Sequence, residues 1–343
     1  IVACLVGSEM CIRDRVYDLP VNKYKIQPKE VVFLSANTWD VSGGGNFGYN
    51  AVWVNRNNSH FDNLDYKPKK EIKNLKGLLE IVWNIIKLKI MSNIEIKKIV
   101  KSIETSDGAG VKLKRSIGTP EADYIDPFLM LDEFGSENKD DYVAGFPPHP
   151  HRGIETVTYM LKGKFEHEDS TGAKGIMSSG DVQWMKTGRG IIHSEMPAMS
   201  DGQLLGFQLW INMPAKLKKN KPEYIYIKNK ELGTYSDDEK VVKVIAGKYK
   251  DVEGPEKNHN VEPIYFHIVL KNGKEFSCEV PEGHNSFIYL LKGQIKVGET
   301  NHEKTNDSNL ILLKQGKNLQ VKAEKDSEFL FIAGKPIGEP IAR

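Results

Sequence analysis

Cysteine is scarce in this chain of 343 residues: only Cys4, Cys11 and Cys278 occur, with no CxxC pair. That excludes a cysteine zinc ribbon and a disulfide-stapled secreted scaffold, and it fits a reducing cytoplasm. No uninterrupted apolar run of about 18 residues occurs, so no membrane-spanning helix is expected. The stretch Leu78 to Ile90 is apolar and helix-like, but Lys87 and Lys89 interrupt it, as in a terminal amphipathic helix. Charge of one sign is lacking too, since 48 Lys and Arg balance 46 Asp and Glu for a net charge of +2. No global basic field calls for nucleic acid, and the scattered lysines read as solvated surface. What is present is 39% hydrophobic and 27% charged residues, a globular composition with length for about two or three domains.

Histidine is the residue that concentrates. Three of the nine fall in two short pairs, His149-Pro150-His151 and His193-Ser194-Glu195. Residues two apart on a strand share a face. If the two strands are neighbours, three imidazoles and one carboxylate converge. Three nitrogens and one oxygen suit a borderline divalent metal such as iron and leave positions open for substrate or oxygen. Proline at 147, 148 and 150 holds the first pair extended and deprives it of ladder donors. The second pair follows the permissive loop Thr187-Gly-Arg-Gly190. A lone HxH would read as an ordinary edge strand, whereas both pairs in one strand-rich region point to a metal. Glu155 is a rival carboxylate. With His149 and His151 it fits an HxHxxxE spacing, and it shares their face if the strand is unbroken. It could instead orient an imidazole from behind. His167, inside the charged run Glu-His-Glu-Asp, is less well placed as a ligand.

Three pieces are expected along the chain. Residues 17–90 show strand, polar loop, helix and strand, an α/β order. Residues 92–215 show short β-branched and aromatic strands between turn signals, as in a sandwich or barrel. The run KLKKNK (216–221) reads as a linker, and 223–343 repeats the second piece. TVTYMLKGKF (156–165) and SFIYLLKGQI (286–295) stand 130 residues apart. The ligand pairs do not repeat. At that offset Glu279 and Pro281 replace the first pair, and Ala323 and Lys325 the second. Aligning Gly180 with Gly316 gives Phe329 and Phe331 instead.

The segment VVFLSANTWDVSGGGNFGYNAVWVNR resembles the C-terminal end of a type II haloacid dehalogenase. The resemblance implies that Ser35, Asn37 and Asp40 are remnants of its site. The family's nucleophilic aspartate motif has no counterpart before residue 90, so an inactive fragment is expected. The opening IVACLVGSEMCIRDRV is similar to translated sequencing-adapter read-through, and residues 1–16 are expected to be non-native. Met91 then looks like the start of another gene product, making the chain a fused reading frame.

Residues 120–213 resemble the pirin family through DPFLMLDEF, FPPHPHRGIETVTYMLKG, GDVQWMKTGRGIIHSEMP and GFQLWINMP, and the likeness continues to FIAGKPIGEPI. It implies a mainly β fold: two tandem cupin barrels (double-stranded β-helix or jelly-roll), preceded by the α/β dehalogenase-like fragment. It implies Fe(II)/Fe(III) on His149, His151, His193 and Glu195, with Mn, Ni, Co, Cu or Zn as other candidate metals, and a degenerate second cupin. Pirins continue past the GEPI motif, so the second cupin is expected to be less covered here. The implied activity is of the quercetin 2,3-dioxygenase type, opening a flavonol ring with dioxygen. Glu195 would accept the flavonol proton. Phe146, Trp184 and Met185 would offer apolar contact near the mouth or else pack in the core, and Arg189 would face an anionic intermediate or else cap its loop. The alternative is a metal- or redox-dependent regulatory protein, a co-regulator or metabolic-enzyme partner without significant turnover. Neither reading calls for direct nucleic-acid or membrane binding.

Overall fold

A computed structural model describes residues 2–3, 13–79, 81, 93–257, 260–298, 305 and 307–341. Cys4, Cys11 and most of the helix expected at 78–90 lie outside these residues. Among the described residues, no helix is long and apolar enough to cross a membrane.

The chain divides into two compact units, residues 1–90 and 91–343. In the first, β1 (Val2–Ala3), β2 (Val32–Ser35), β3 (Asn50–Val54) and β4 (Lys70–Ile72) lie side by side in parallel. Helices α1 (Arg13–Tyr24) and α2 (Thr38–Asn46) precede and follow β2. The apolar runs 31–34 and 51–54 are the buried strands, as a parallel sheet requires.

The second unit is almost entirely β. It runs through β5 (Ile96–Lys101), β6 (Ile103–Asp107), β7 (Val111–Ile117), β8 (Phe128–Ser136) and β9 (Phe146–His151). Next come β10 (Ile154–Lys162), β11 (Phe165–Asp169), β12 (Lys174–Met177), β13 (Val182–Lys186), β14 (Ile191–Pro197), β15 (Leu204–Asn212) and β16 (Glu223–Ile227). The later strands are β17 (Gly233–Ser236), β18 (Lys240–Ala246), β19 (Lys248–Tyr249), β20 (Val252–Glu253), β21 (Ile264–Leu270) and β22 (Glu275–Glu279). The last are β23 (Asn285–Lys292), β24 (Ile295–Val297), β25 (Asn309–Leu313), β26 (Asn318–Ala323) and β27 (Ser327–Gly334).

These strands make two barrels, each a seven-stranded sheet with a smaller sheet. The first barrel joins β16-β13-β10-β15-β8-β7-β6 with β12-β11-β14-β9. The second joins β17-β18-β21-β27-β23-β25-β5 with β22-β26-β24, and β19-β20 form a separate ribbon. One apolar cluster draws on both large sheets, with Val157, Trp184 and Phe207 from one and Tyr265, Phe287 and Leu330 from the other.

The strand partners correct the expected boundaries at 92–215 and 223–343. β5 lies in the earlier stretch yet pairs with β25 of the second barrel, and β16 lies in the later stretch yet pairs with β13 of the first. Each barrel therefore has a sheet edge completed by a strand from the other stretch, which covers backbone groups that would otherwise be unpaired. Nor is 216–221 a free tether. Lys218 Nζ donates to Gly153 O and Asn212 Oδ1, both at 2.7 Å.

Ladder register identifies what replaced the ligand pairs in the second barrel. Glu195 stands opposite Phe146 and His167, while Val321 stands opposite Phe276 and Val297. Val321 thus takes the place of Glu195. Leu319, opposite Cys278, takes the place of His193, which stands opposite His149. Neither sequence offset found these residues. Ala323 falls at the position of Pro197, and Phe329 and Phe331 lie on β27, the counterpart of β15. The second interior is an apolar plug of Ile288, Leu290, Leu319, Val321, Phe329 and Phe331.

Candidate metal centre

The site grows from three neighbouring strands of the first barrel's small sheet. On β9 and β14, His149 stands opposite His193, and on β14 and β11, His193 stands opposite Asp169. One step along, Phe146, Glu195 and His167 form the next row, after an irregularity between His193 and Glu195. The period-two alternation that suggested convergence of the two pairs therefore operates here. The His149 and His193 rings are 4.4 Å apart between centroids, and His151 lies 4.8 Å from His149 and 5.0 Å from His193. The donor atoms of His149, His151 and His193 all lie within 4.8 Å of one another.

Hydrogen bonds prepare these donors. His149 Nδ1 lies 2.8 Å from Pro147 O, a carbonyl that only accepts, so Nδ1 carries the proton and Nε2 keeps its lone pair. Glu195 is 2% exposed. Its Oε1 accepts from Thr158 Oγ1 and Gln183 Nε2, each at 2.9 Å, and its Oε2 accepts from Gln208 Nε2 at 3.3 Å. Burial, joined by the neighbouring imidazoles, pushes His151 down to about 4 and His193 down to about 3. Both stay neutral near pH 7, the form that can ligate a metal. Both ring nitrogens of His193 are buried without a protein partner. An unsatisfied buried polar atom costs about 1–3 kcal/mol, and a cation facing one nitrogen relieves that cost. By donor chemistry and by these orphaned atoms, the cluster fits a divalent metal.

A cavity of about 480 Å³ opens onto His149, His151 and Glu195. Leu113, Met130, Phe134, Phe146 and Trp210 supply apolar wall. Trp210 meets His151 edge-on at 5.0 Å. Asp107 and Asp132 add carboxylates to the same wall, and Arg115 ties them together. Its Nε and Nη2 grip Asp132 at 2.9 and 2.7 Å, and Nη2 reaches Asp107 at 2.9 Å. Burial raises the Asp132 pKa even against that guanidinium.

The remaining sequence candidates scatter. Glu155 does not join the cluster. Its Oε2 accepts from Trp184 Nε1 at 2.6 Å. The strand it was to share with His149 and His151 is broken at Arg152-Gly153, where Gly153 has φ +69, so the phase of alternation is lost. Trp184 is fully buried in the cluster between the large sheets and does not line the cavity. Met185 is also fully buried and does not line it. Arg189 is exposed, and its backbone N–H donates to Asn220 O. Phe146 does line the cavity. In the other unit, Ser35 Oγ accepts from Asn37 N at 3.1 Å, and Asp40 Oδ1 accepts from Tyr17 OH at 2.8 Å.

The residue the sequence reading undervalued is His167. It is fully buried and its donor atom lies within 4.8 Å of those of His193 and Glu195. Alternation along Phe165-Glu-His-Glu-Asp169 carried the signal, because Phe165, His167 and Asp169 face in while Glu168 is exposed.

Two barrels, one with the group His149, His151 and His193 and the buried carboxylate of Glu195 next to His193, the other filled with apolar side chains, define a two-domain cupin protein. Residues 110–211 match the Pirin family model, and residues 265–343 match that of the Pirin C-terminal cupin domain. A pirin-like protein of Caulobacter vibrioides is 43% identical over 248 residues, 72% of this chain and 89% of that protein. Pirin of Homo sapiens is 40% identical over 253 residues, 71% and 85% of the two chains. The crystal structure of a quercetin 2,3-dioxygenase from Acinetobacter baumannii superposes with a TM-score of 0.67 at 28% identity, covering 73% of this chain and 90% of that one. The chain belongs to the pirin family.

Proposed function

We propose that the first cupin holds iron through His149, His151, His193 and Glu195 and uses dioxygen to open the ring of a flavonol-like substrate. The observation that carries this reading is the cavity of about 480 Å³ ending on His149, His151 and Glu195. Its size lies in the range of small-molecule sites, and the apolar part of its wall, Leu113, Met130, Phe134, Phe146 and Trp210, suits a planar aromatic ring. The relative from Acinetobacter baumannii bears the name of that activity.

Bound iron would supply Lewis acidity toward the substrate hydroxyl and redox chemistry toward dioxygen. The protein supplies the rest. Phe146, Met130 and Trp210 hold the ring and exclude water. Thr158, Gln183 and Gln208 fix the Glu195 carboxylate. Oε2, with the single longer hydrogen bond, is the oxygen free to take the substrate's hydroxyl proton. Ser35, Asn37 and Asp40 have no part in this reaction.

The test loads the metal-free full chain with Fe(II) and follows oxygen uptake with quercetin, beside His149→Ala and Glu195→Gln. About one iron per chain with quercetin-dependent uptake, both diminished in the variants, is the expected result. A folded protein that binds no iron would overturn the ligand assignment. Iron bound without uptake would overturn the oxygenase reading and favour the regulatory one.

A further inference from the structure

Two buried histidines of the first barrel carry ring nitrogens that lack partners, for complementary reasons. His167 Nε2 lies 3.1 Å from Asp169 Oδ2, with both side chains fully buried. A carboxylate accepts, so Nε2 carries the proton and Nδ1 keeps a lone pair. That Nδ1 is buried without a protein partner. Across the sheet, His193 has two orphaned nitrogens. If one faces the metal, the other must carry a proton, and that N–H needs an acceptor. The ring centroids of His167 and His193 are 5.4 Å apart, and their donor atoms lie within 4.8 Å. That separation is closed by a small side-chain shift or by one bridging water.

The surroundings fix His167 firmly. Its ring stacks on Tyr224 at 4.4 Å with 14° between planes. Tyr224 belongs to β16, the strand from the later stretch of sequence that edges the first barrel's large sheet. Asp169 is fixed as well, because its Oδ1 accepts from Thr171 N, Thr171 Oγ1 and Ala173 N in the following turn. His167 does not line the cavity, unlike His149, His151 and Glu195.

We propose that His167 is a positioning residue, held by Asp169 so that its Nδ1 accepts the outward N–H of His193, directly or through one water. The relay Asp169–His167–His193 then sets the tautomer and ring orientation of His193 as a metal donor. This rests on the reading of His193 as a ligand. It also gives β16 a purpose, since the strand supplies the aromatic face that holds the relay.

Cobalt(II) is the probe, added to the metal-free full chain and measured by chelator competition. His167→Phe keeps a ring for Tyr224 but removes the acceptor. Asp169→Asn keeps an oxygen for the turn but places an amide donor against His167 Nε2, which turns Nδ1 into a donor facing another donor. His167→Gln offers an amide oxygen as replacement acceptor. Cobalt affinity should fall about 10- to 100-fold in the Phe and Asn variants, with unchanged circular dichroism, and recover in the Gln variant. Wild-type affinity in both His167→Phe and Asp169→Asn overturns the relay. So does a Gln variant as weak as Phe, or pulsed EPR of the copper(II) form showing four bound imidazoles in wild type and three in His167→Phe. Failure of the wild type to bind cobalt or copper would refute the ligand reading itself, a separate outcome.

Discussion

Tyr159 and Tyr289, 130 residues apart, make reciprocal contacts across the two barrels. Tyr159 OH in the first lies 2.8 Å from His267 Nδ1 in the second, and Tyr289 OH in the second donates to Glu133 Oε2 in the first at 2.9 Å. Both phenols are fully buried, and burial pushes both far above the usual tyrosine range. The internal repeat has thus become a pair of polar latches within an apolar interface.

Replacing Tyr159 by Phe removes one latch and leaves His267 Nδ1 buried without that partner. The expected loss is about 1–3 kcal/mol, read as a lower urea midpoint. Tyr289→Phe should cost less, because Glu133 keeps its ion pair with Lys114 at 3.2 Å. Equal midpoints for wild type and Tyr159→Phe would show that the latch contributes nothing.

Thr158 and its repeat counterpart Ile288 mark the divergence of the barrels. Thr158 Oγ1 donates to Glu195, whereas Ile288 packs into the apolar plug. Thr158→Val keeps the shape and removes a donor from the carboxylate. Iron affinity should drop by about tenfold or more with little change in melting temperature. Isothermal titration or chelator competition checks this, and unchanged affinity would remove Thr158 from the supporting set.

The pH dependence of the metal-free protein has a definite sign. In the unfolded chain, His151 and His193 take up protons as pH falls through about 6.5. In the folded protein, burial and the neighbouring imidazoles delay this to about 4 and about 3. Between these limits the unfolded state binds more protons, up to about two per chain, so stability rises with pH. Stability present above pH ~6.5 should be lost progressively as pH falls toward ~4. Urea midpoints measured on metal-free protein across that window check it, and a flat profile would contradict the burial of these rings.

The parts of the site that alternate within one strand could be read from sequence. His149 with His151, and His193 with Glu195, needed only period two and adjacent strands. His167 obeyed the same rule but was masked by Glu166 and Glu168, which belong to the outer face. For Trp184 the sequence leaves cavity wall and core both open, because alternation states that a side chain faces one side and not which side. Trp184 occupies the inter-barrel core, while Gln183 next to it reaches Glu195. The exchange of β5 and β16 was invisible, since an edge strand's own pattern does not specify a partner far along the chain. Register in the second barrel was missed for a related reason: a fixed offset matches β23 to β10 but cannot track loops of different length before β26.

Glu155 provides the sharpest discrimination between spacing and geometry. On spacing it rivals Glu195 as the metal carboxylate. In the fold, Gly153 breaks the strand and Glu155 accepts from the Trp184 indole N–H at 2.6 Å. Glu155→Gln retains an oxygen to accept that N–H, so it should leave iron stoichiometry and affinity unchanged. Its effect should appear as a modest loss of thermal stability, because a charge-assisted bond becomes a neutral one. Glu195→Gln should do the reverse, lowering iron affinity by about tenfold or more with little effect on melting. Iron content of the two variants prepared in parallel decides the matter. Depletion in Glu155→Gln alone would return the ligand role to the HxHxxxE spacing.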